Sequence, residues 1–401
     1  MLSSLAFIFL AGLLAAAVCK RLRLPGIIGM LITGIVLGPY VLGVLDESVL
    51  SISADLRKMA LIIILIKAGL SLDLSDLKRV GRPAVMMSCV PASCEILAFF
   101  LLAPALLGVT RIEAAVMGAV LAAVSPAVVV PRMVRLMDEK YGTEKSIPQL
   151  ILAGASCDDI FVIVLFSTFS GMAQGGHVSA AELINIPVSI ILGIALGAGA
   201  GFALSVFFET SYAHKHCVRN SVKVIIVLGV SFLLTAAETW LKGTVAVSGL
   251  LAVISMACVI RLRSVPQVTG RLSEKFGKLW IAAEVILFVL VGAAVDIRYT
   301  LEAGIAAVIM IFAALIFRSI GVLLCLIKTP LSFKERLFCV IAYMPKATVQ
   351  AAIGSVPLAM GLPCGKIVLS VAVLAILITA PLGAVGIDST YKKLLIHEEN
   401  G

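Results

Sequence analysis

Two adjacent aspartates, Asp158 and Asp159, lie inside a strongly apolar stretch of the sequence. The small residues 154–157 precede them and the apolar run 160–166 follows, so we expect both carboxylates well within a helix. An ionisable side chain at the centre of a membrane span costs about 2.5 to 3.5 kcal/mol, so residues of this type are usually kept for function. Burial and mutual repulsion favour the protonated form of at least one carboxyl group, which can then exchange its proton for a metal ion. The pair therefore predicts an ion site.

Five further ionisable residues fall inside apolar runs, and they are Lys67, Glu95, Glu284, Arg318 and Lys346. With the two aspartates they make three positive and four negative charges, so complete pairing leaves one carboxylate for a cation or a proton. Lys67 and Glu284 lie near the ends of their runs, where a long side chain can reach the membrane surface. We therefore expect Glu95, Arg318 and Lys346 to be the charge partners within the ion site.

Helix-breaking residues interrupt two apolar runs at corresponding places in the two halves of the chain. The residues are Ser125-Pro126 and Pro131 in the first run, and Pro345, Gly354, Pro357 and Gly361 in the second. Paired broken helices in an inverted repeat indicate a binding site near the middle of the membrane. Their ends leave free carbonyl groups that can coordinate a small cation beside carboxylates. The predicted ion ligands are Asp158, Asp159, Ser125 and Ser156.

The composition is that of a membrane protein. Of the 401 residues, 61% are hydrophobic and 14% are charged, whereas soluble domains carry about 25% charged residues. Apolar runs long enough to cross about 30 Å of hydrocarbon recur from end to end, and we predict one membrane domain over residues 1–401. We place thirteen spans near residues 2–18, 25–45, 56–72, 81–108, 112–131, 147–172, 182–208, 224–237, 243–260, 279–297, 302–327, 337–361 and 367–387.

The positions of the charged, cysteine and glycine residues predict the orientation of the chain in the membrane and exclude some classes of function. Loops after the odd-numbered spans carry most of the Lys and Arg, which predicts a cytoplasmic C-terminus and an N-terminus outside. The net charge of +9 is dispersed, so nucleic-acid binding is not expected. The nine cysteines form no CxxC pair and predict neither a disulfide framework nor a cysteine-bound cofactor. The four-residue glycine spacings Gly34/Gly38 and Gly193/Gly197/Gly201 predict close helix packing.

Four segments of this sequence resemble the monovalent cation/proton antiporters, in particular the branch with two adjacent aspartates. The segments are residues 24–39, 67–73, 156–159 and 345–354. The last of them, Pro-Lys-Ala-Thr-Val-Gln-Ala-Ala-Ile-Gly, is the most specific and looks like the NHA-type sodium/proton antiporters. The resemblance extends over nearly the whole chain. This sequence departs from the pattern of the family at two places. Lys67 stands where an arginine is common, and Ser125-Pro126 stands where many exchangers have Thr-Asp-Pro.

This resemblance implies an all-α polytopic fold with inverted repeats and two crossed broken helices. It implies a homodimer in which a core part, approximately 81–172 and 302–387, moves against a dimerisation part, approximately 1–80 and 182–297. It also implies that Asp159 is the principal ligand of cation and proton, while Asp158 pairs with either Lys346 or Arg318. In NHA-type exchangers a core glutamate pairs with the arginine, which matches Glu95 with Arg318 and leaves Lys346 near Asp158.

The expected activity is exchange of Na⁺ or Li⁺ for H⁺ by alternating access in the cell (inner) membrane, without a cofactor. The alternative within the same fold is K⁺/H⁺ exchange, because a list of ligands does not determine the size of the ion cavity. An intramembrane aspartyl protease would need its two carboxylates on different helices, so that enzyme class is disfavoured. A channel or a receptor would show no proton coupling. Two adjacent aspartates often accompany electrogenic exchange, whereas the resemblance to NHA-type exchangers and the expected pair of Glu95 and Arg318 favour electroneutral exchange.

Overall fold

The computed structural model describes residues 1–22, 24–71, 81–174, 180–213, 219–241, 247–296 and 304–397. Within these ranges the chain is α-helical, apart from an isolated β-bridge between Tyr141 and His397. The helices of the first half are α1 (Leu2–Arg21), α2 (Gly26–Leu37), α3 (Glu47–Ser51), α4 (Ser53–Ser71), α5 (Arg82–Met87), α6 (Val90–Leu107), α7 (Arg111–Leu121), α8 (Pro126–Asp138) and α9 (Ile147–Gln174). Those of the second half are α10 (Ala180–Ala213), α11 (Asn220–Trp240), α12 (Gly249–Arg263), α13 (Pro266–Ala293), α14 (Gly304–Cys325), α15 (Phe333–Ala342), α16 (Thr348–Gly354), α17 (Val356–Ala359) and α18 (Gly365–Leu394).

Each of the thirteen predicted spans coincides with a helix or with an interrupted helix of this series. Among the described residues, nine helical segments are long and apolar enough to cross a membrane, and Gly26–Leu37 and Thr348–Ala359 are shorter apolar helices. Helix α13 begins well before residue 279, where the tenth span was predicted to begin. Its early turns are polar, with Lys278 Nζ at 2.7 Å from Glu274 Oε1, and apolar length does not detect such turns.

The two interrupted helices begin with the same capping motif. At the start of α7, Glu113 N donates to Thr110 Oγ1 at 3.3 Å and Thr110 N donates to Glu113 Oε2 at 2.8 Å. At the start of α15, Ser332 and Glu335 repeat both hydrogen bonds at 3.3 and 2.6 Å. A capping box satisfies N–H groups that have no partner within the helix. The matching motifs at corresponding places agree with an inverted repeat that relates the two interrupted helices.

Prolines lie at both interruptions. Ser125 has extended backbone angles, and Pro126 is the first residue of α8. Pro345 lies between α15 and α16. Proline has no N–H group and disfavours a helical conformation of the preceding residue, so a helix cannot run through these positions unchanged. Of the other predicted breakers, Pro131 lies inside α8 and Gly354 is the last residue of α16.

The described chain divides into two compact units. The first comprises Met1–Ala54, Asp73–Val162 and Val285–Gly401, and the second comprises Asp55–Leu72 and Ile163–Glu284. In the first unit, α2 packs so closely on α13 that a Cβ at Gly34 would overlap the Val289 carbonyl. In the second unit, a Cβ at Gly197 would overlap the Ala252 carbonyl of α12. Close packing at the predicted glycine positions is therefore present within each unit.

We predict that Gly197→Leu separates α10 from α12 and destabilises the protein by about 1–3 kcal/mol, the usual cost of overpacking. The measurement is the unfolding temperature of the purified protein in detergent, which is expected to fall. Gly199→Leu is the matched control, because no atom of another described element lies within 4 Å of the Cβ position there. Equal unfolding temperatures for the two variants would show that the contact between α10 and α12 has been misplaced.

Candidate ion site at the crossing of the broken helices

The two interruptions lie against each other. Ser125 N, in the first break, donates a hydrogen bond to the Pro345 carbonyl of the second at 2.8 Å. Helices α7 and α15 both end at this place, so their terminal carbonyl groups have no partner within their own helices. The partial negative charge of two helix C-termini is thus concentrated at one point, where it favours cations.

Asp158 and Asp159 lie in the middle of α9, as predicted, with 0% and 7% of their surface exposed. Asp158 Oδ2 accepts from Val124 N, in the first break, at 2.8 Å and from Arg318 Nη2 at 3.3 Å. Successive residues of a helix point about 100° apart, and Asp159 has different surroundings. No side chain or backbone group of the described chain donates a hydrogen bond to its carboxylate. The two aspartates are therefore unequal in their contacts.

Arg318 connects most of the elements at the site. Its Nη1 donates to Glu95 Oε2 at 2.9 Å and to the Ala122 carbonyl, and its Nε donates to the Tyr343 carbonyl at 2.6 Å. With the bond to Asp158, one buried guanidinium contacts two carboxylates and the carbonyls that follow α7 and α15. The planar fork of five N–H donors makes such a multiple contact geometrically feasible.

Glycines bring the helices that carry this ion pair together. A Cβ at Gly321, on α14 with Arg318, would lie 2.7 Å from the Pro91 Cα of α6. A Cβ at Gly118 of α7 would lie 3.0 Å from the Ile96 Cα, next to Glu95. Both positions leave room for the backbone of α6 only because they carry no side chain. This packing places Glu95 beside both Arg318 and the first break.

Lys346 is bound to Glu95 rather than to Asp158. Its Nζ lies 2.7 Å from Glu95 Oε1 and donates to Glu95 Oε2 at 2.8 Å and to the Leu121 carbonyl. The expected placement of Lys346 near Asp158 is therefore corrected, and the basic residue that contacts Asp158 is Arg318. A lysine ammonium is a compact charge, whereas the arginine fork reaches Glu95 and Asp158 at once.

The described side chains leave one negative charge unbalanced at this site. Three carboxylates face two cations, and the carboxylate that no cation contacts is that of Asp159. An uncompensated charge in a low-dielectric interior costs several kcal/mol. Asp159 is thus expected to hold either a proton or a bound cation.

Several buried side-chain oxygen atoms near the crossing have no hydrogen-bond partner within the described chain. Glu95 Oε1 is one of them, but it lies 2.7 Å from Lys346 Nζ; the others include Ser125 Oγ, Asp158 Oδ1 and Asp159 Oδ1. Buried polar atoms are nearly always hydrogen-bonded, so these three atoms, on the first break and on adjacent residues of α9, need an explanation. Oxygen atoms are the ligands that hard cations prefer. The side chain of Ser156 lies outside the part of the chain that the structure describes, and its role as a ligand stays a prediction.

Gln350 is a buried polar residue that the sequence analysis did not assign. Its Nε2 donates to the Ala123 carbonyl at 2.7 Å, and its Oε1 accepts from Ala347 N at 2.8 Å. The side chain thereby joins the end of α7 to the start of α16. A glutamine in an apolar run beside Lys346 was a signal for this role. Thr379, which accepts from Lys346 N at 3.0 Å, had no comparable signal.

We predict that Gln350→Met lowers the unfolding temperature, because it leaves the Ala123 carbonyl and the Ala347 N–H buried without a partner. Each such group costs about 1–3 kcal/mol. The measurement is thermal unfolding in detergent. The control is Ser389→Ala, since this exposed hydroxyl bonds only to carbonyls of its own helix. An unchanged unfolding temperature for Gln350→Met would show that the Gln350 hydrogen bonds do not stabilise the crossing of the broken helices.

Comparison with known proteins identifies the family of this chain. The family model described as "Sodium/hydrogen exchanger, transmembrane" matches residues 5–393. Human sodium/hydrogen exchanger 9B2 is 33% identical over 392 residues, which cover 93% of this chain and 70% of the relative. The mouse protein of the same name is 32% identical over 389 residues, which cover 94% of this chain and 70% of the relative. The sodium proton antiporter MjNhaP1 from Methanocaldococcus jannaschii at pH 8 has the same fold, with a TM-score of 0.82, 23% identity and coverage of 98% and 99%. The predicted all-α polytopic fold is confirmed, and the chain belongs to the sodium/hydrogen exchanger family of the monovalent cation/proton antiporters.

Proposed function

We propose that this cation/proton antiporter exchanges Na⁺ or Li⁺ for H⁺ at a site built on Asp158 and Asp159. The observation that carries the proposal is the unbalanced carboxylate of Asp159, which is buried and, like Ser125 Oγ and Asp158 Oδ1, has an oxygen atom without a hydrogen-bond partner in the described chain. Proton and cation each restore neutrality at the same atoms, so both cannot be held there at once. Competition for one carboxylate couples the two fluxes.

The charge balance also favours one proton for each cation. With Glu95, Asp158 and Asp159 ionised and Arg318 and Lys346 charged, the site carries one net negative charge. A proton or one monovalent cation brings that sum to zero, so both loaded states have the same charge. The unloaded site would carry its negative charge through the membrane interior, which is costly. We therefore propose electroneutral exchange in which only the loaded site crosses.

The proposed ligands have different degrees of preorganisation. Asp158 is oriented by the Val124 N–H and Arg318, so that its free Oδ1 serves as a second carboxylate ligand. Ser125 is held by its own N–H bond to Pro345, and its hydroxyl oxygen is available. The Asp159 carboxylate is the group that binds a proton in one half of the cycle and a cation in the other. Arg318 and Lys346 form ion pairs with Glu95 and bind the carbonyl groups at the two helix ends.

Na⁺ is the preferred cargo in this proposal. The relatives are named sodium/hydrogen exchangers 9B2 and 9B1, and the solved structure is titled a sodium proton antiporter. K⁺ is larger and requires a wider cavity, so K⁺/H⁺ exchange is the alternative within the fold. The aspartyl protease alternative does not fit, because both aspartates lie on α9 and Asp158 is bound by Arg318.

The transport cycle is proposed to follow the alternating access of inverted-repeat transporters. The core part, approximately 81–172 and 302–387, would move against approximately 1–80 and 182–297 in a homodimer of the cell (inner) membrane, with the N-terminus outside. Both broken helices and all five charged residues of the site belong to one compact unit, which supports their movement together. That unit also contains Met1–Ala54, a segment that the sequence analysis had grouped with the dimerisation part.

The direct test of function uses the purified protein in liposomes that contain a pH-sensitive dye. Addition of Na⁺ or Li⁺ is expected to drive proton movement that is independent of membrane voltage, whereas K⁺ is expected to drive much less. A response to K⁺ alone would favour the alternative cargo. No cation-dependent proton movement under any condition would refute the proposed function.

We predict that Asp159→Asn abolishes exchange, because the amide can neither release a proton nor balance a cation. Loss of at least about 100-fold is expected, in line with residues that are essential to a transport or catalytic step. Asp138→Asn, the same change at an exposed carboxylate, should transport normally, and equal unfolding temperatures establish that both variants fold. Normal exchange by folded Asp159→Asn would refute the assignment of the carrier.

A further inference from the structure

A groove of about 380 Å³ lies between α4 and α11 in the second compact unit. It is lined on one side by residues that include Asp55, Lys58 and Ile62, and on the other by Phe232, Thr239 and Trp240. On α4 these positions are three, four or seven residues apart, and on α11 Thr239 and Trp240 follow Phe232 by seven and eight residues, which places the two sets on facing sides of the helices. The groove takes no part in the ion site described above, because none of its lining residues belongs to that cluster.

The groove changes from polar to apolar along its length. Asp55, Lys58, Thr239 and Trp240 line one end, where α4 begins and α11 ends. Ile62 and Phe232 lie about two turns further into the two helices. Trp240 is 71% exposed, and tryptophan is enriched at the level of the lipid headgroups. A polar end at the membrane surface followed by an apolar floor has the polarity profile of a single amphiphile.

The charged end offers one site of each sign. Neither Asp55 nor Lys58 forms an ion pair or a hydrogen bond with any part of the described chain, so both are available to a ligand. The N-terminus of α4 carries a partial positive charge and the C-terminus of α11 a partial negative charge. A ligand with one negative and one positive group complements this end. An anionic lipid would match Lys58 but would be repelled by Asp55.

We propose that this groove binds a zwitterionic phospholipid whose headgroup carries a primary ammonium group. Lys58 and the start of α4 hold the phosphate, while Asp55 and the end of α11 hold the ammonium group. Ile62 and Phe232 contact the first methylene groups of the acyl chains. A soluble zwitterion would gain nothing from that apolar floor, and an apolar helix of a second copy would leave both charges unmatched.

The test titrates delipidated protein in detergent with phosphatidylethanolamine or phosphatidylglycerol of identical acyl chains, and counts bound lipid by native mass spectrometry. Phosphatidylethanolamine is expected to bind at least about fivefold more tightly, the effect of one interfacial charge. Lys58→Ala should weaken that binding about fivefold. Asp55→Asn should remove the preference between the two lipids. Lys278→Ala, at an exposed lysine outside the groove, is the control and should bind as the unaltered protein does.

Three results would overturn the proposal. The first is equal binding of both lipids to the unaltered protein, and the second is unchanged lipid preference in Asp55→Asn. The third is a change of oligomeric state in the groove variants at constant bound lipid, which would assign the groove to a second copy of the chain. Phosphatidylcholine with the same acyl chains separates recognition of a primary ammonium group from general recognition of zwitterions. Binding equal to that of phosphatidylethanolamine would refute the primary-amine part.

Discussion

The structure depends on a buried cluster of three carboxylates and two cations that does not balance. Glu95 is held by both Arg318 and Lys346, and Asp158 is held by Arg318, at distances of 2.7 to 3.3 Å. Breaking a buried pair by removing one partner usually costs about 3–5 kcal/mol, so these contacts constrain every helix that carries them. The constraint leaves Asp159 as the group whose charge is balanced from outside the chain. This unbalanced charge is the physical basis of the proposed ion site.

The helix breaks lower the energetic cost of burying this charged cluster within a membrane. Terminal carbonyls of Leu121, Ala122 and Tyr343 accept from the two cations, so the positive groups have partners besides the carboxylates. Irregular backbone is tolerated at membrane depth only where such groups are satisfied or line a cavity. Prolines lie at both breaks, and Gln350 connects the end of α7 to the start of α16. Matching capping boxes begin α7 and α15. The charges and the breaks therefore stabilise each other.

The charged residues in apolar runs and the helix-breaking prolines predicted much of this arrangement. The cost of a charge in an apolar run identified Glu95, Asp158, Asp159, Arg318 and Lys346, and the prolines identified the two interrupted helices. The sequence could not decide which cation meets Asp158, because that choice depends on where the breaks cross in space and on how far the arginine fork reaches. Gln350 and Thr379 were missed because a neutral polar residue carries a smaller penalty than a charge. The start of α13 was misplaced because polar turns extend that helix beyond its apolar run.

The most direct test of the central claim is the number of protons released when Na⁺ binds to the purified protein. Calorimetry in buffers of different ionisation enthalpy measures this number without transport. If a proton and a cation compete for Asp159 alone, release rises to one proton per cation at pH values where Asp159 is protonated before binding, and Asp159→Asn releases none. Release of two protons per cation, or undiminished release in folded Asp159→Asn, would contradict the account.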